Sequence, residues 1–555
     1  MSNSSRTRWW VPAAAIVVLA ALLASCSSGS QKEAAGPTGT VGQLKRVQED
    51  AGPPQAGGSL AYCNGGEVEG YNPTQGRWVT PAYTVANAIY DPLFAYDEQG
   101  NPQPYLAESA EHNADFTEWK IKVRQGVTFH NGTPLNAEAV AVNLNAGKNS
   151  GLTAAAFEPV QSITATGPFE VTVKMKTPWS TFLHLLTAQP GYMEEPSLVG
   201  DPSRLEESNR RPIGTGPFQF VEWVPNSYLR VRKYDNYWRK DRPYLNQIDF
   251  KVIVDFQARA QSLETGQCDA MEMADAAQIK RFQAEADAGN YQMYTDAGVE
   301  VQEIFITLNL DREPFNDPLA RQILAYGIDT ERVCGEGFLG VFPPARGPFD
   351  KSSPYFDDTG YPTYDPAKAA ELHEEYKAKH GKPLEFESII PPVNEYQQVA
   401  QLIAQMGEEI GVKSTIKTVE LAALTGQLVG GQYQASGTIL FGSPSLDREY
   451  VFIASESKPS GQLSLNFARN PNWRKVKEWM DKARATDDKQ QQIEAYKKAQ
   501  QQLNEDLPYI WLCHSRSSIV FRNNVHGFLD ATVPGTDQLL QQSITPFFYQ
   551  VWVKR

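Results

Sequence analysis

Three short motifs have residue types suited to catalysis or cofactor binding, and each lacks something that its chemistry requires. Gly335–Gly340 has the glycine spacing of a phosphate-binding loop, but it follows a helix-like segment rather than a strand. His373 opens a sequence like that of zinc proteases, yet Lys377 stands where the second histidine should be and cannot ligate as an ammonium. Asp-Thr-Gly at 358–360 occurs without a second copy, whereas aspartic proteases need two carboxylates. We therefore predict no enzyme and no cofactor.

Cysteine and histidine spacing indicates disulfides rather than a metal centre. The chain has five cysteines and seven histidines. No C-x-x-C occurs and the histidines are scattered, so we predict no metal site. Apart from Cys26, the cysteines are an even set, which in an exported chain favours disulfides: Cys63, Cys268, Cys334 and Cys513.

The N-terminus has the layout of a secretory signal peptide. Arg6 and Arg8 precede a short apolar stretch from Val11 to Leu23, too short to span about 30 Å of hydrocarbon comfortably. The next residues complete Leu-Ala-Ser-Cys, which resembles the lipobox of bacterial lipoproteins, where the cysteine, here Cys26, receives lipid. A short membrane anchor is the alternative. We predict a signal peptide over 1–25 and a lipidated Cys26 on the extracytoplasmic face of the cell membrane.

Charge and composition limit the remaining classes. The formal charge is −14, and removal of the two signal-peptide arginines makes the mature chain −16 (−14 − 2). No run of Lys or Arg interrupts this acidity, so nucleic-acid binding is excluded. Residues 27–57 are rich in Ser, Gly, Pro, Ala and Gln, a composition typical of a tether.

Hydrophobic periodicity predicts a mixed α and β body after Gly58. Apolar residues alternate with polar ones over 117–124, 169–175 and 248–254, which is typical of strands with one wet face. Asp317 is a good N-cap for a helix that begins at Pro318. Farther along the chain, apolar residues at helical spacing predict two helices, the second capped by Asp487. A strand is predicted over 509–512.

Several dispersed segments, in the same order, resemble the extracellular solute-binding proteins of peptide and nickel ABC importers, family 5. These segments are 119–132, 136–138, 212–218, 236–238, 314–317, 321–322 and 506–508. Residues 62–64 and 69–73 are similar to the first strand and loop of the periplasmic dipeptide-binding proteins, and 263–268 to the segment with the partner cysteine. The resemblance implies a disulfide between Cys63 and Cys268. A Cys334–Cys513 pair is a weaker prediction without family precedent.

The resemblance also implies an α/β, two-lobe periplasmic-binding-protein fold of type II, cluster C. Lobe I would comprise 58–300, with an extra subdomain inserted at about 92–211, and the chain would return to it over 514–555. Lobe II would comprise 301–513, and the signal peptide and tether would occupy 1–25 and 26–57. The solute would lie between the lobes, which close because bound solute contacts both faces.

Ligand-contact residues follow from the resemblance only in part. The segment around Tyr396 lacks the Arg that holds a dipeptide carboxylate, and the loop from Phe441 to Asp447 lacks the Asp expected at Pro444. Asp447 is the substitute candidate for a ligand amine, with the alternative that it caps the following turn. Arg77 and Trp78 would supply a charge and an aromatic wall, unless they are a surface Arg and a half-buried Trp.

The predicted function is that of a monomeric lipoprotein that captures peptides and delivers them to the permease of an ABC importer. Because a buried, unpaired peptide terminus is costly, we expect free dipeptides to bind poorly and longer or end-blocked peptides to bind better. The alternatives are another solute, such as haem, a metal chelate or a saccharide, or an enzyme or structural lipoprotein on the same fold.

Substitution of Cys26 tests the lipid anchor. We expect the Cys26→Ser protein to leave the membrane fraction or to accumulate with its signal peptide, because serine has no thiol to receive lipid. Fractionation with intact-mass measurement checks this. Normal processing with unchanged membrane retention would contradict the assignment.

Overall fold

The computed structural model describes residues 52–296, 302–440, 442–457, 464–541 and 544–555. The predicted signal peptide, Cys26 and Phe441 lie outside these ranges. The strands, in chain order, are β1 (Ser59–Asn64), β2 (Phe94–Tyr96), β3 (Pro102–Pro104), β4 (Ala107–His112), β5 (Glu118–Val123), β6 (Val160–Gly167), β7 (Glu170–Met175), β8 (Phe218–Val224), β9 (Tyr228–Lys233), β10 (Gln247–Val252), β11 (Ala270–Met273), β12 (Gln292–Thr295), β13 (Glu303–Leu308), β14 (Glu385–Ile390), β15 (Lys413–Thr418), β16 (Ala435–Leu440), β17 (Tyr509–His514), β18 (Ser518–Phe521), β19 (Val525–His526) and β20 (Trp552–Val553).

Helices connect and cover these strands. They are α1 (Thr80–Ile89), α2 (Ala137–Asn149), α3 (Pro196–Val199), α4 (Leu205–Arg210), α5 (Phe256–Glu264), α6 (Ala276–Asp287), α7 (Pro318–Gly327), α8 (Thr330–Arg332), α9 (Pro366–His380), α10 (Asn394–Glu409), α11 (Leu421–Gly430), α12 (Tyr450–Ile453), α13 (Trp473–Arg484) and α14 (Lys489–Asp506). Within the described ranges, none is long and apolar enough to span a bilayer.

Two sheets build the part of the molecule that we call the first lobe. A seven-stranded sheet has the order β12-β18-β11-β1-β10-β9-β8, and its inner strand β1 runs parallel to both β10 and β11. A four-stranded antiparallel sheet has the order β4-β5-β7-β6. In β5, Trp119, Ile121 and Val123 are buried while Lys120 and Lys122 are exposed, which confirms the strand that alternation predicts.

The second lobe is built on a five-stranded sheet of order β15-β14-β16-β13-β17. The chain crosses from one lobe to the other twice, between β12 and β13 and between β17 and β18. Helix α7 begins where predicted, and the Asp317 carboxylate accepts a hydrogen bond from the Leu319 N–H at 3.1 Å. For α14 the predicted cap is wrong by one residue, because Asp488 rather than Asp487 accepts from the first-turn amide of Gln491.

The structure pairs all four cysteines that follow Cys26. Cys63 in β1 is bonded to Cys268 just before β11, with Cα atoms 5.9 Å apart. Cys334 is bonded to Cys513 in β17, with Cα atoms 6.0 Å apart. The loops that these bonds close, of 205 and 179 residues, would restrict the unfolded chain by up to about 5 kcal/mol each in an entropic description.

Several buried carboxyl groups are unusually easy to protonate. Glu194 is fully buried, and this burial raises its pKa to about 8, against the lowering effect of the Ser208 hydroxyl that donates to it. Burial raises the pKa values of Asp91 and Glu449 to about 7. Burial instead lowers the pKa values of His130, His184 and His514 to about 4.

These shifts predict that the protein becomes less stable as pH rises from about 6.5 to 8. In that window the buried carboxyl groups hold protons only when folded. The histidines are neutral in the folded protein and lose their remaining protons from the unfolded chain, where their pKa is about 6.5, which offsets part of the slope at the lower end of the window. Each such group removes up to about 1.4 kcal/mol of unfolding free energy per pH unit. We expect Glu194→Gln to flatten the slope in urea unfolding, because the amide cannot ionise.

The matched control is Glu206→Gln, which changes an exposed residue on α4 that pairs with Arg210. This variant should keep the wild-type pH slope. Equal slopes for the wild type and Glu194→Gln would contradict the role of Glu194.

Candidate ligand-binding cleft

Three strand ends of the second lobe meet at the edge where the chain passes to the first lobe. Strand β13 is antiparallel to both β16 and β17. Its first residue, Glu303, therefore lies opposite the last residue of each neighbour, Leu440 and His514. The side chains of Glu303 and His514 therefore lie at one edge of the second-lobe sheet, next to both chain crossings.

Ionisable side chains of both signs are buried at this edge. Glu303, Glu449, His514 and Arg516 are each less than a tenth exposed, and we call them, together with Asp350, the hinge cluster. The Glu303 Oε1 and His514 Nδ1 atoms are 3.6 Å apart, and the Arg516 Nη2 and Asp350 Oδ2 atoms are 3.7 Å apart. Both distances exceed that of a hydrogen bond.

The hinge cluster is only partly satisfied by the protein itself. Among the described residues, the buried Glu303 Oε2, His514 Nδ1 and Arg516 Nε atoms have no hydrogen-bond partner. Burial, and then the nearby charge of Glu449, raises the pKa of Glu303 well above its usual range. Buried polar atoms are normally paired, so these three atoms can take partners from a bound molecule or from water.

Asp447 is buried close to this edge, and both of its oxygens are occupied. Oδ1 accepts from the Arg484 Nε–H at 2.5 Å, and Oδ2 accepts from the Trp179 indole N–H at 2.8 Å. The Arg484 guanidinium lies over the rings of Tyr450 and Trp179, 3.6 and 4.5 Å from their centroids. Because Trp179 belongs to the first lobe, Asp447 links the lobes in this structure.

The other sequence-predicted residues lie in different surroundings. Arg77 forms a two-pronged ion pair with Glu69 at 2.9 and 3.1 Å, on a half-exposed surface. Trp78 is buried against Tyr83, Tyr90 and Tyr192. Among the contacts of the described residues, neither side chain meets the hinge cluster.

Tyr396 lies in the first turn of α10, beside a second contact between the lobes. The neighbouring Glu395 carboxylate accepts from the backbone N–H of Ala276 at 3.3 Å, at the start of α6 in the first lobe. Burial raises the pKa of Glu395 to about 7, and the charge of Asp275 adds to this shift. Burial also raises the pKa of Tyr396.

Sequence reasoning missed the hinge cluster. A signal was present, since Glu303 and His514 are ionisable residues at the ends of apolar strands, which is an uncommon setting for charge. Glu303 and His514 are about 200 residues apart in the chain. Their proximity depends on the register between two strands and could not be predicted from either segment alone.

Removal of one member of the Asp447–Arg484 pair should be strongly destabilising. We expect Arg484→Met to lower the free energy of unfolding by about 3 kcal/mol or more, because it leaves a buried carboxylate without its cation. The double variant Asp447→Leu with Arg484→Met should be more stable than Arg484→Met alone. Denaturant unfolding checks both, and a double variant at least as unstable as the single one would contradict this pairing.

Comparisons with known proteins identify the family of the chain. The family model described as bacterial extracellular solute-binding proteins, family 5 Middle, matches residues 101–462. The glutathione-binding protein GsiB of Pectobacterium atrosepticum is 28% identical over 458 residues, covering 80% of this chain and 86% of that protein. GsiB of Salmonella typhimurium is also 28% identical, over 466 residues, covering 81% and 88%.

Solved structures show the same fold at lower identity. The oligopeptide-binding protein AppA from Bacillus subtilis, in complex with a nonapeptide, has a TM-score of 0.76 at 23% identity and covers 91% of this chain and all (100%) of its own. DppA from Helicobacter pylori, with the peptide STSA, has a TM-score of 0.77 at 19% identity, covering 90% and 99%. NikA from Brucella suis, with Fe(III)-EDTA, has a TM-score of 0.74 at 22% identity, covering 90% and 100%.

These matches confirm the predicted α/β periplasmic-binding-protein fold of cluster C. The family is one of non-enzymatic proteins, so the prediction that the chain is not an enzyme is also confirmed. With a matching model over more than half of its 555 residues, this chain belongs to family 5 of the bacterial extracellular solute-binding proteins, the solute-binding components of ABC transporters.

Proposed function

We propose that this protein captures peptides between its two lobes and delivers them to the membrane permease of an ABC importer. The observation that carries the proposal is the hinge cluster, where the buried Glu303, His514 and Arg516 each retain an unpaired polar atom among the described residues. A peptide offers an ammonium group, backbone donors and backbone acceptors in one molecule, and so it can satisfy atoms of both signs.

We propose two candidate partners for the peptide amine in addition to Asp447, which the sequence indicated. Asp447 remains a candidate, but its ion pair with Arg484 must open before it can bind a ligand. Glu303 and Glu449 are candidates without that cost, since neither forms an ion pair with Lys or Arg among the described residues. Arg77, Trp78, Tyr396 and Phe441 remain proposals as contacts of a longer ligand.

The carboxylate end of the peptide has one candidate partner in the hinge cluster. Arg516 is the buried cation of the hinge cluster, and Asp350 lies 3.7 Å from its guanidinium. A ligand carboxylate would compete with Asp350 for the same charge. We therefore retain the preference for longer or C-terminally blocked peptides over free dipeptides.

Contacts between the lobes would favour their closure. Asp447 with Trp179 and Glu395 with the Ala276 amide each join one lobe to the other. A solute that touches both lobes binds this arrangement more tightly and shifts the equilibrium towards it. The permease would then recognise the closed form, presented at the membrane by a lipid on Cys26, with the protein acting as a monomer.

Glutathione is the second candidate solute. The relatives at 28% identity are named for binding glutathione, and glutathione is itself a small peptide with an amine and two carboxylates. The second carboxylate of glutathione would need another cation. Arg516 does not provide it, because Asp350 lies beside its guanidinium.

Calorimetry on ligand-free protein, obtained by unfolding and refolding, tests the class of solute. We expect a C-terminally amidated tetrapeptide to bind more tightly than a free dipeptide or glutathione. Acetylation of the tetrapeptide amine should weaken binding at least tenfold. Mass spectrometry of the material released by denaturation should identify an unmodified peptide, whereas a released non-peptide solute would contradict the proposal.

Single substitutions distinguish which of the candidate acids holds the peptide amine. If Glu449 holds the amine, Glu449→Gln should weaken binding of the tetrapeptide about tenfold or more and leave binding of its acetylated form unchanged. Asp447→Asn is the comparison, and Glu478→Gln, on an exposed face of α13, is the control. Equal affinity for all three variants and the wild type would contradict both assignments.

A further inference from the structure

A basic pocket lies in the first lobe, lined by residues that the solute site does not use. It encloses about 660 Å³ between the ends of β4 and β5, the loop that follows β9, and the C-terminal segment. Its charged lining residues are Arg124, Arg239, Lys240, Arg242 and Glu108. None of the lining residues comes from the second lobe, so the pocket is separate from the hinge cluster.

The charge of the pocket is opposite to that of the protein. Four cations and one acid give the lining a formal charge of +3 (4 − 1), while the chain as a whole has −14. Within the described ranges, none of the four cations lies within 4.0 Å of a carboxylate oxygen. The charges of Glu108 and Asp91 act on Arg124 and Arg239 at longer range, and an anion bound among the four cations would relieve their remaining mutual repulsion.

Neutral groups hold the arginines in place. The Arg239 guanidinium lies over the rings of Tyr549, Tyr105 and Trp238, 4.3, 4.7 and 4.9 Å from their centroids. Its Nη2 donates to the Thr532 carbonyl at 3.1 Å. Its buried Nε has no hydrogen-bond partner among the described residues.

The two other arginines are fixed in the same way. Arg124 Nε donates to the Tyr105 carbonyl at 2.9 Å, and Arg242 Nε donates to the Gln550 side-chain oxygen at 2.8 Å. Asp91 lies behind the pocket, and its oxygens accept from the Trp238 indole and the Tyr237 hydroxyl. The hydrogen bonds that position the guanidinium groups therefore go to uncharged acceptors, and Asp91 offsets part of the charge of Arg239.

We propose that the basic pocket binds an oxyanion of the phosphate class, either a free phosphate ester or the phosphate of a lipid head group. Guanidinium groups present forks of N–H donors that match phosphate oxygens, and Lys240 adds a mobile point charge at the rim. This site is independent of the proposed peptide function and requires no residue of the hinge cluster.

Titration of the purified full-length protein with glycerol 3-phosphate at low ionic strength tests the free-ligand form. Vesicle flotation with phosphatidylglycerol or with phosphatidylcholine alone tests the lipid form, using protein with Cys26→Ser so that an anchor does not contribute. We expect Lys240→Glu to weaken the interaction at least tenfold, because it reverses charge in an exposed residue without disturbing the packing. Arg242→Gln should weaken it at least threefold.

The matched control is Lys413→Glu, the same charge reversal at an exposed position on β15, which should change affinity by less than twofold. Binding of glycerol 3-phosphate that Lys240→Glu removes supports a free ligand. Binding only to phosphatidylglycerol vesicles, also removed by Lys240→Glu, supports a lipid head group. No binding in either assay, or equal binding by Lys240→Glu and Lys413→Glu, would overturn the proposal.

Discussion

Buried charge between the lobes is the constraint on which the rest of this structure depends. An ionised side chain removed from water costs several kcal/mol unless a partner of opposite charge or good hydrogen bonds replace the solvent. Asp447 meets this requirement inside the protein, through Arg484 and the Trp179 indole. Glu303, His514 and Arg516 each retain an unpaired buried atom among the described residues, and burial favours the neutral forms of the first two by raising the pKa of Glu303 and lowering that of His514. We propose that the first arrangement stabilises closure and that the second receives the ligand.

The topology explains why these two arrangements lie together. Strand β13 is antiparallel to β16 and β17, so the first residue of one strand meets the last residues of the others at a single edge. The same edge is where the chain leaves for the first lobe on both of its crossings. In the proposed mechanism, movement at the crossings would change the burial of the hinge cluster, and a ligand bound there would act on the lobes close to the point about which they move.

Local patterns in the sequence predicted much of the fold, because alternation and helix capping act over a few residues. The strands around Trp119 and Ile248 and the helix capped by Asp317 are confirmed on that basis. The site was harder to predict. A carboxylate such as Asp447 looks the same in sequence whether it contacts solvent, a ligand or a distant Arg, and the contact with Trp179 spans 268 residues. The basic pocket likewise joins Arg124 to Arg242 and the C-terminal segment only after folding.

The central claim is that acids of the hinge cluster are reserved for the cationic end of a solute. Calorimetry of tetrapeptide binding at pH 7, in two buffers of different ionisation enthalpy, measures the protons exchanged on binding. Burial raises the pKa of Glu449 to about 7, and an ammonium group bound beside it would lower that pKa, so we expect Glu449 to release up to about half a proton per peptide. Glu449→Gln should reduce this release. A binding enthalpy that is the same in both buffers would contradict the claim.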